Sequence, residues 1–162
     1  MKSRIIRMLL VLTLTFAGLG FYSHPAYAAD CYGSNCEDLN PNTMGCSGDA
    51  VTSGSVKYLG DGGTNLSFVE TRKSTACATK WARTTNRSGG YRYAAATLRY
   101  GCDNYCYTKN VSSPGSIANY ATVYTPMHNN YYSTPTRSCG ALGYSQISVP
   151  ISLSDTWCTS VN

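Results

Sequence analysis

The sequence predicts a mainly β domain: a small disulfide-stapled barrel or sandwich with one short helix or turn near Trp81. Three observations predict it. Eight cysteines follow an apolar leader, and an even set of thiols exported to an oxidising compartment pairs into disulfides. Two β-rich runs in SVKYLGDGGTNLSFVETR flank Asp61-Gly62-Gly63, and Asp-Gly supplies the positive φ angles of a tight hairpin. The stretch GGYRYAAATLRYG alternates. Tyr91, Tyr93, Ala95, Thr97 and Arg99 fall on one face of a strand there, and Arg92, Ala94, Ala96, Leu98 and Tyr100 on the other.

The leader decides which residues count. It opens with Lys2, Arg4 and Arg7, runs apolar from Met8 to Tyr22 and closes on Ala26-Tyr27-Ala28, a small-x-small cleavage pattern. Residues 1–28 therefore read as a secretory signal peptide cut after Ala28, leaving one secreted domain over 29–162. A membrane anchor is the rival, but Gly18, Gly20 and Pro25 interrupt the run, which is shorter than the ~20 residues a spanning helix needs. No membrane span is expected after cleavage. Asp30 precedes Cys31 where a lipoprotein would carry a small residue.

Cleavage also changes the charge. Three of the 13 Lys and Arg lie in the leader, so the mature part carries 10 bases against 8 acids. Nucleic acid would call for a basic patch or stripe, and the bases are scattered from Lys57 to Arg137. Nucleic acid is therefore disfavoured as a partner. Leu, Ile, Val and Phe number only 17 in residues 29–162, about 13% and below the ~20% at which highly charged chains are disordered. Tyrosines, Trp81, Trp157 and disulfides are expected to make up the buried area.

Further elements follow in chain order. STACATKWAR has helical spacing from Ala78 to Ala82 with Ser74 as cap. The alanines of 94–96 leave helix as a rival to the strand there. IANYATVYT and YSQISVPISL are strand candidates, the first ended by Pro126 and the second pushed by Pro150 to an edge or bulge.

Cys31, Cys36, Cys46, Cys77, Cys102, Cys106, Cys139 and Cys158 are expected to form four bridges, in a connectivity that sequence leaves open among 105 pairings. Their spacings fit no zinc pattern. Asp61-Gly62-Gly63-Thr64-Asn65 matches no complete calcium loop. No metal or cofactor is expected.

Cys31, Cys36, Asn40-Pro41, Gly45-Cys46, Asp49-Ala50 and Thr52, then Val69-Glu70, Arg72, Ser74, Cys77 and Trp81-Ala82-Arg83, form a pattern. It resembles the YjfA-like secreted bacterial proteins, the domain-of-unknown-function family 2690. The resemblance covers 31–83 and continues more weakly through VYTPM and Cys139 to 142. Thr71 and Lys73 depart from it, standing where the family has an apolar residue and a tyrosine. It implies a portable extracellular module and carries over no catalytic residue.

Candidate residues fall into three function classes. A secreted, non-enzymatic binding protein of the cell envelope or medium would use Tyr131, Tyr132 and His128 in MHNNYYSTPTR on a cell-wall polysaccharide. Adjacent tyrosines in a strand cannot both point inward, and Asn, Ser and Thr hydrogen-bond sugar hydroxyls. Arg83 beside Trp81 is a second binding candidate; the plainer reading puts Trp81 in the core with Arg83 on an aromatic face or a carboxylate. A small glycan hydrolase would use Asp49 and Glu70 as its carboxylate pair, against the plainer reading that Asp49 caps a turn and Glu70 pairs with Arg72 or Arg83. A toxin, elicitor or inhibitor would dock on an extracellular protein.

Overall fold

The computed structural model describes residues 28–60, 66–101, 106–129, 134–151 and 157–161. Among them eight strands are arranged as two antiparallel sheets: β1 (Val51–Tyr58), β2 (Phe68–Ser74), β3 (Thr79–Thr85), β4 (Tyr93–Tyr100), β5 (Tyr107–Ser112), β6 (Thr122–Tyr124), β7 (His128–Asn129) and β8 (Thr136–Gly143). The first sheet runs β1-β2-β3-β6, with β7 also on β3; the second runs β5-β4-β8. They pack face to face as an open sandwich. The edges of one sheet pair with no strand of the other, so the barrel alternative is not formed among the described residues.

β1 and β2 are the predicted hairpin strands; the Asp61-Gly62-Gly63 turn itself lies outside the described residues. β4 is a strand throughout, and each of its residues from Tyr93 to Tyr100 has an antiparallel partner on β8. The helical alternative fails there because β4 sits at the centre of its sheet, with β5 on one side and β8 on the other. A central strand satisfies its backbone on both edges, which outweighs the modest helix preference of three alanines.

The layer between the sheets is made mostly of small side chains. Ala82, Ala94, Ala96, Leu98 and Val123 form its apolar part. Hydroxyls do the rest: Thr71 and Ser138 bond each other across the layer at 2.7 Å, and the Thr84 hydroxyl donates to the Ala95 carbonyl at 2.8 Å. Gly140 fixes the spacing. A Cβ there would lie 2.6 Å from both Thr84 Oγ1 and Val69 Cβ, closer than real carbon contacts.

That spacing overturns one expectation. The tyrosines do not fill the core, because rings cannot fit where backbones approach so closely. Tyr32, Tyr58, Tyr91, Tyr107, Tyr120 and Tyr144 are all exposed, whereas Trp81 is 2% exposed. Trp81 does not lie between the sheets either. It packs with Cys36, Cys46, Cys77 and Met127 on the outer face of the first sheet, beneath the N-terminal segment. Trp157 is half-buried on the outer face of the second sheet, beside Ala95, Cys139, Ile151 and Cys158.

Of the short helix or turn expected near Trp81, the turn is what forms, at Thr75–Ala78, and it runs straight into β3; the helical spacing of Ala78–Ala82 is not used. Ala78 has φ +52°, which stops any helix. The Ser74 hydroxyl still accepts the Cys77 N–H at 3.0 Å, as a cap does. The described helical structure is a single 3-10 turn, Gly33–Cys36, whose Gly33 N–H reaches the Cys77 carbonyl at 2.8 Å. IANYATVYT yields only the three residues of β6 before Pro126. YSQISVPISL forms no strand over 144–151; Ile147 and Ile151 instead pack against the outer face of the second sheet.

Candidate functional site

β7 places His128 at one end of the sandwich, opposite Lys80 of β3. The β4–β5 register sets Tyr100 opposite Tyr107 and Leu98 opposite Lys109. Partners in register share a face, so Tyr107 and Lys109 join Tyr100 on the side facing His128. Three rings stack in a pile: Tyr107 on Tyr100 with centroids 5.7 Å apart, and Tyr100 on His128 at 3.7 Å. Tyr107 is the exposed end of that pile, at 67% exposure.

Charges surround the stack. Lys109, nearly buried, contacts Glu37 at 2.6 Å and Asp38 at 2.5 Å. Glu37 also accepts the Asn129 N–H at 2.6 Å and lies 3.3 Å from His128 Nδ1. Burial alone would raise the Glu37 pKa; hydrogen bonds from Lys109, the Asn129 N–H and His128 outweigh it and leave it lowered. Burial lowers the His128 pKa against the pull of Glu37, so the imidazole is neutral at pH 7. Burial raises Tyr100, and at Lys109 the two carboxylates overcome burial and raise the amine.

His128 Nε2 lies 3.3 Å from Thr134 Oγ1, so hydroxyl, imidazole and carboxylate stand in the order of a nucleophile relay. The carboxylate, however, is held more closely by Lys109 and the Asn129 N–H than by the imidazole. The arrangement is a packed ionic platform under an exposed ring.

Asp49 and Glu70 are not brought together as a catalytic pair. Asp49 accepts from the Ser74 hydroxyl at 2.5 Å, the Thr75 N–H and hydroxyl at 2.9 Å each, and the Ala76 N–H at 2.8 Å. Against burial, those bonds lower its pKa; it caps the β2–β3 turn. Glu70, 2% exposed, accepts from Arg83 Nε at 2.9 Å and Nη2 at 2.6 Å, and from the Thr52 hydroxyl. Arg72 flanks it at 3.6 Å. Glu70 and the Ser74 that holds Asp49 are four residues apart on β2, about 13 Å along the strand.

Arg83 and Trp81 therefore share the outer face of the first sheet. Together with Asn42, Ser47, Ala50, Arg72, Thr122 and Tyr124 they line a cavity of about 60 Å³. Tyr131 and Tyr132 lie outside the described residues.

Cys31–Cys36, Cys46–Cys77 and Cys139–Cys158 are bridged, Cys106 is also disulfide-bonded, and no described cysteine is free. Cys102 lies outside the described residues. The sulfurs of Cys31, Cys36, Cys46 and Cys77 lie within 4.8 Å of one another, close enough to surround a metal as free thiolates. They are paired as disulfides, and it is the thiolate that ligates.

Sequence reasoning singled out His128 but missed its partners Tyr100, Tyr107, Lys109 and Glu37. A signal existed: reading Tyr100 to Tyr107 as a hairpin makes those two rings neighbours. Nothing local marks Glu37, which reaches β7 from 91 residues away.

Fold and site define a class, a small disulfide-stapled antiparallel β-sandwich with a ring-and-ion platform at one end. Compared with protein-family models, curated proteins and solved structures, the chain finds no match.

Proposed function

We propose that the protein is a secreted, non-enzymatic binding protein of the cell envelope or medium, released by cleavage after Ala28 and akin to the YjfA-like family. Its ligand is a cell-wall polysaccharide, and its contact face is centred on Tyr107. The observation that carries this reading is that six of the nine described tyrosines are exposed and none is fully buried. Exposed rings offer apolar faces on which the C–H side of a sugar stacks. At Tyr107 the ring is backed by Tyr100 and His128, so little side-chain entropy is lost on binding. The neighbouring Asp38, exposed and beside Lys109, supplies hydroxyl-binding groups.

Disulfides suit a module that works outside the cell. The two carboxylates considered for hydrolysis, Asp49 and Glu70, are already engaged by a turn and by arginines. The test is to incubate purified mature protein with insoluble cell-wall glycan, then assay pelleting and soluble reducing ends separately. Co-sedimentation without new reducing ends is expected. Protein left in the supernatant would overturn the ligand class, and reducing ends that accumulate with time would replace binding by hydrolysis.

A further inference from the structure

We infer that the cavity on the outer face of the first sheet is a binding site for one small oxyanion group, a carboxylate or a phosphate- or sulfate-sized tetrahedral ion. It is built by the alternation of β3 and its neighbours. Trp81 and Arg83 point the same way from β3, Arg72 of β2 stands opposite Trp81, and Tyr124 of β6 stands opposite Arg83. The N-terminal segment closes the cavity through Asn42, whose side-chain amide donates to the Tyr124 hydroxyl at 2.8 Å.

The wall is rich in donors. Two guanidinium groups share the single carboxylate of Glu70, leaving one positive charge in excess. A guanidinium has five N–H donors, and Arg83 uses only Nε and one Nη2 hydrogen on Glu70. The Tyr124 hydroxyl accepts from Asn42, which frees its own proton to donate. Thr122 and Trp81 also line the cavity, and each carries a polar hydrogen that no described hydrogen bond uses.

Charge restricts what the occupant can be: the excess guanidinium favours an anion. The cavity shares no lining residue with the Tyr107 platform, so the site is distinct from it and does not depend on it. Arginine's planar fork suits such anions, and its bonds to them are among the stronger ones.

The experiment follows the two indole N–H cross-peaks of ¹⁵N-labelled mature protein by NMR, assigned with Trp157→Phe. Sodium phosphate, sulfate and acetate are titrated in turn against chloride at equal ionic strength. A saturable shift of the Trp81 signal with at least one oxyanion, and none at Trp157, is expected; which ion saturates first separates tetrahedral from carboxylate ligands. Arg83→Gln should raise the apparent Kd at least tenfold. Thr122→Val removes one donor and leaves the Glu70 ion pairs in place, so it supplies a folded comparison if Arg83→Gln unfolds; it should weaken binding several-fold. A Trp81 signal that moves no more with the oxyanions than with chloride would overturn the site. So would a folded Thr122→Val that titrates like wild type.

Discussion

The layer between the two sheets and the cap under the N-terminal segment are packed by opposite means. Between the sheets, backbones approach until only Gly140 fits, and Ala, Thr and Ser fill the remainder. The described part of the cap segment forms no strand, so no strand pairing sets the spacing there. Trp81, Met127 and the disulfides Cys31–Cys36 and Cys46–Cys77 occupy the volume instead. Where backbone hydrogen bonds fix the geometry, mostly small side chains suffice; where they do not, a buried indole and covalent links hold the segment.

The largest way to break that contrast is at the cap. Trp81→Ala removes the buried indole there and should cost about 3–5 kcal/mol of unfolding free energy in denaturant melts. Replacing both Cys46 and Cys77 by serine opens a loop of 31 residues and should cost nearly as much, roughly 4 kcal/mol in the chain-entropy picture. Equal stability of either variant with wild type would mean that the segment is held by something else.

Between the sheets the sensitive change is an addition. Gly140→Ala places a methyl against Thr84 and Val69 and should cost about 1–3 kcal/mol by overpacking. Thr71→Val leaves the buried Ser138 hydroxyl without its partner on Thr71 and should cost about 1–3 kcal/mol. Adding Ser138→Ala should recover part of that loss, since removing both partners is far less costly than removing one. A double variant less stable than the single would contradict the hydroxyl pair.

These contrasts also mark what could be read from sequence. The hairpin strands β1 and β2 and the central β4 were legible because alternation and Asp-Gly act locally. The cysteine bridges were legible as a set but not as pairs. The tyrosines misled, since composition says how much aromatic area exists and not whether the sheets leave room for it. Thr71, a polar residue in the layer between the sheets, becomes intelligible once Ser138 lies opposite it, a contact 67 residues distant. Near Trp81 sequence left helix and turn open; Ala78 and Asp49 settle it as a turn, Asp49 organising it from 27 residues before Ala76. The platform was legible only at His128, because its ion pairs join segments far apart in the chain.

Acid sharpens the contrast, since the titrating groups cluster at the cap and the platform. His128 has a folded pKa below its ordinary 6.5, so the neutral form is favoured by folding and its contribution is lost as pH falls below that value. Glu37 and Asp49 have folded pKa values below their ordinary 4.5 and 3.8, so their contributions, complete above those values, are lost as pH falls through the folded ones. Melting temperature should start to fall below about pH 6.5 and drop more steeply below about pH 4.5. In Glu37→Gln the steeper part should be reduced. A melting temperature that stays level from pH 7 to 3 would contradict these assignments.

The smallest expected effect on stability is at Tyr107, and there the functional claim is exposed most directly. Tyr107→Ala removes an exposed ring and should change stability by under ~0.5 kcal/mol. The deciding measurement is the fraction of this variant that pellets with insoluble cell-wall glycan, beside wild type and at matched thermal stability. A fall of roughly tenfold or more in affinity, about 1.4 kcal/mol, is the result predicted. A folded Tyr107→Ala that pellets like wild type would place the ligand elsewhere and contradict the proposal that the exposed rings of this sandwich are its contact surface.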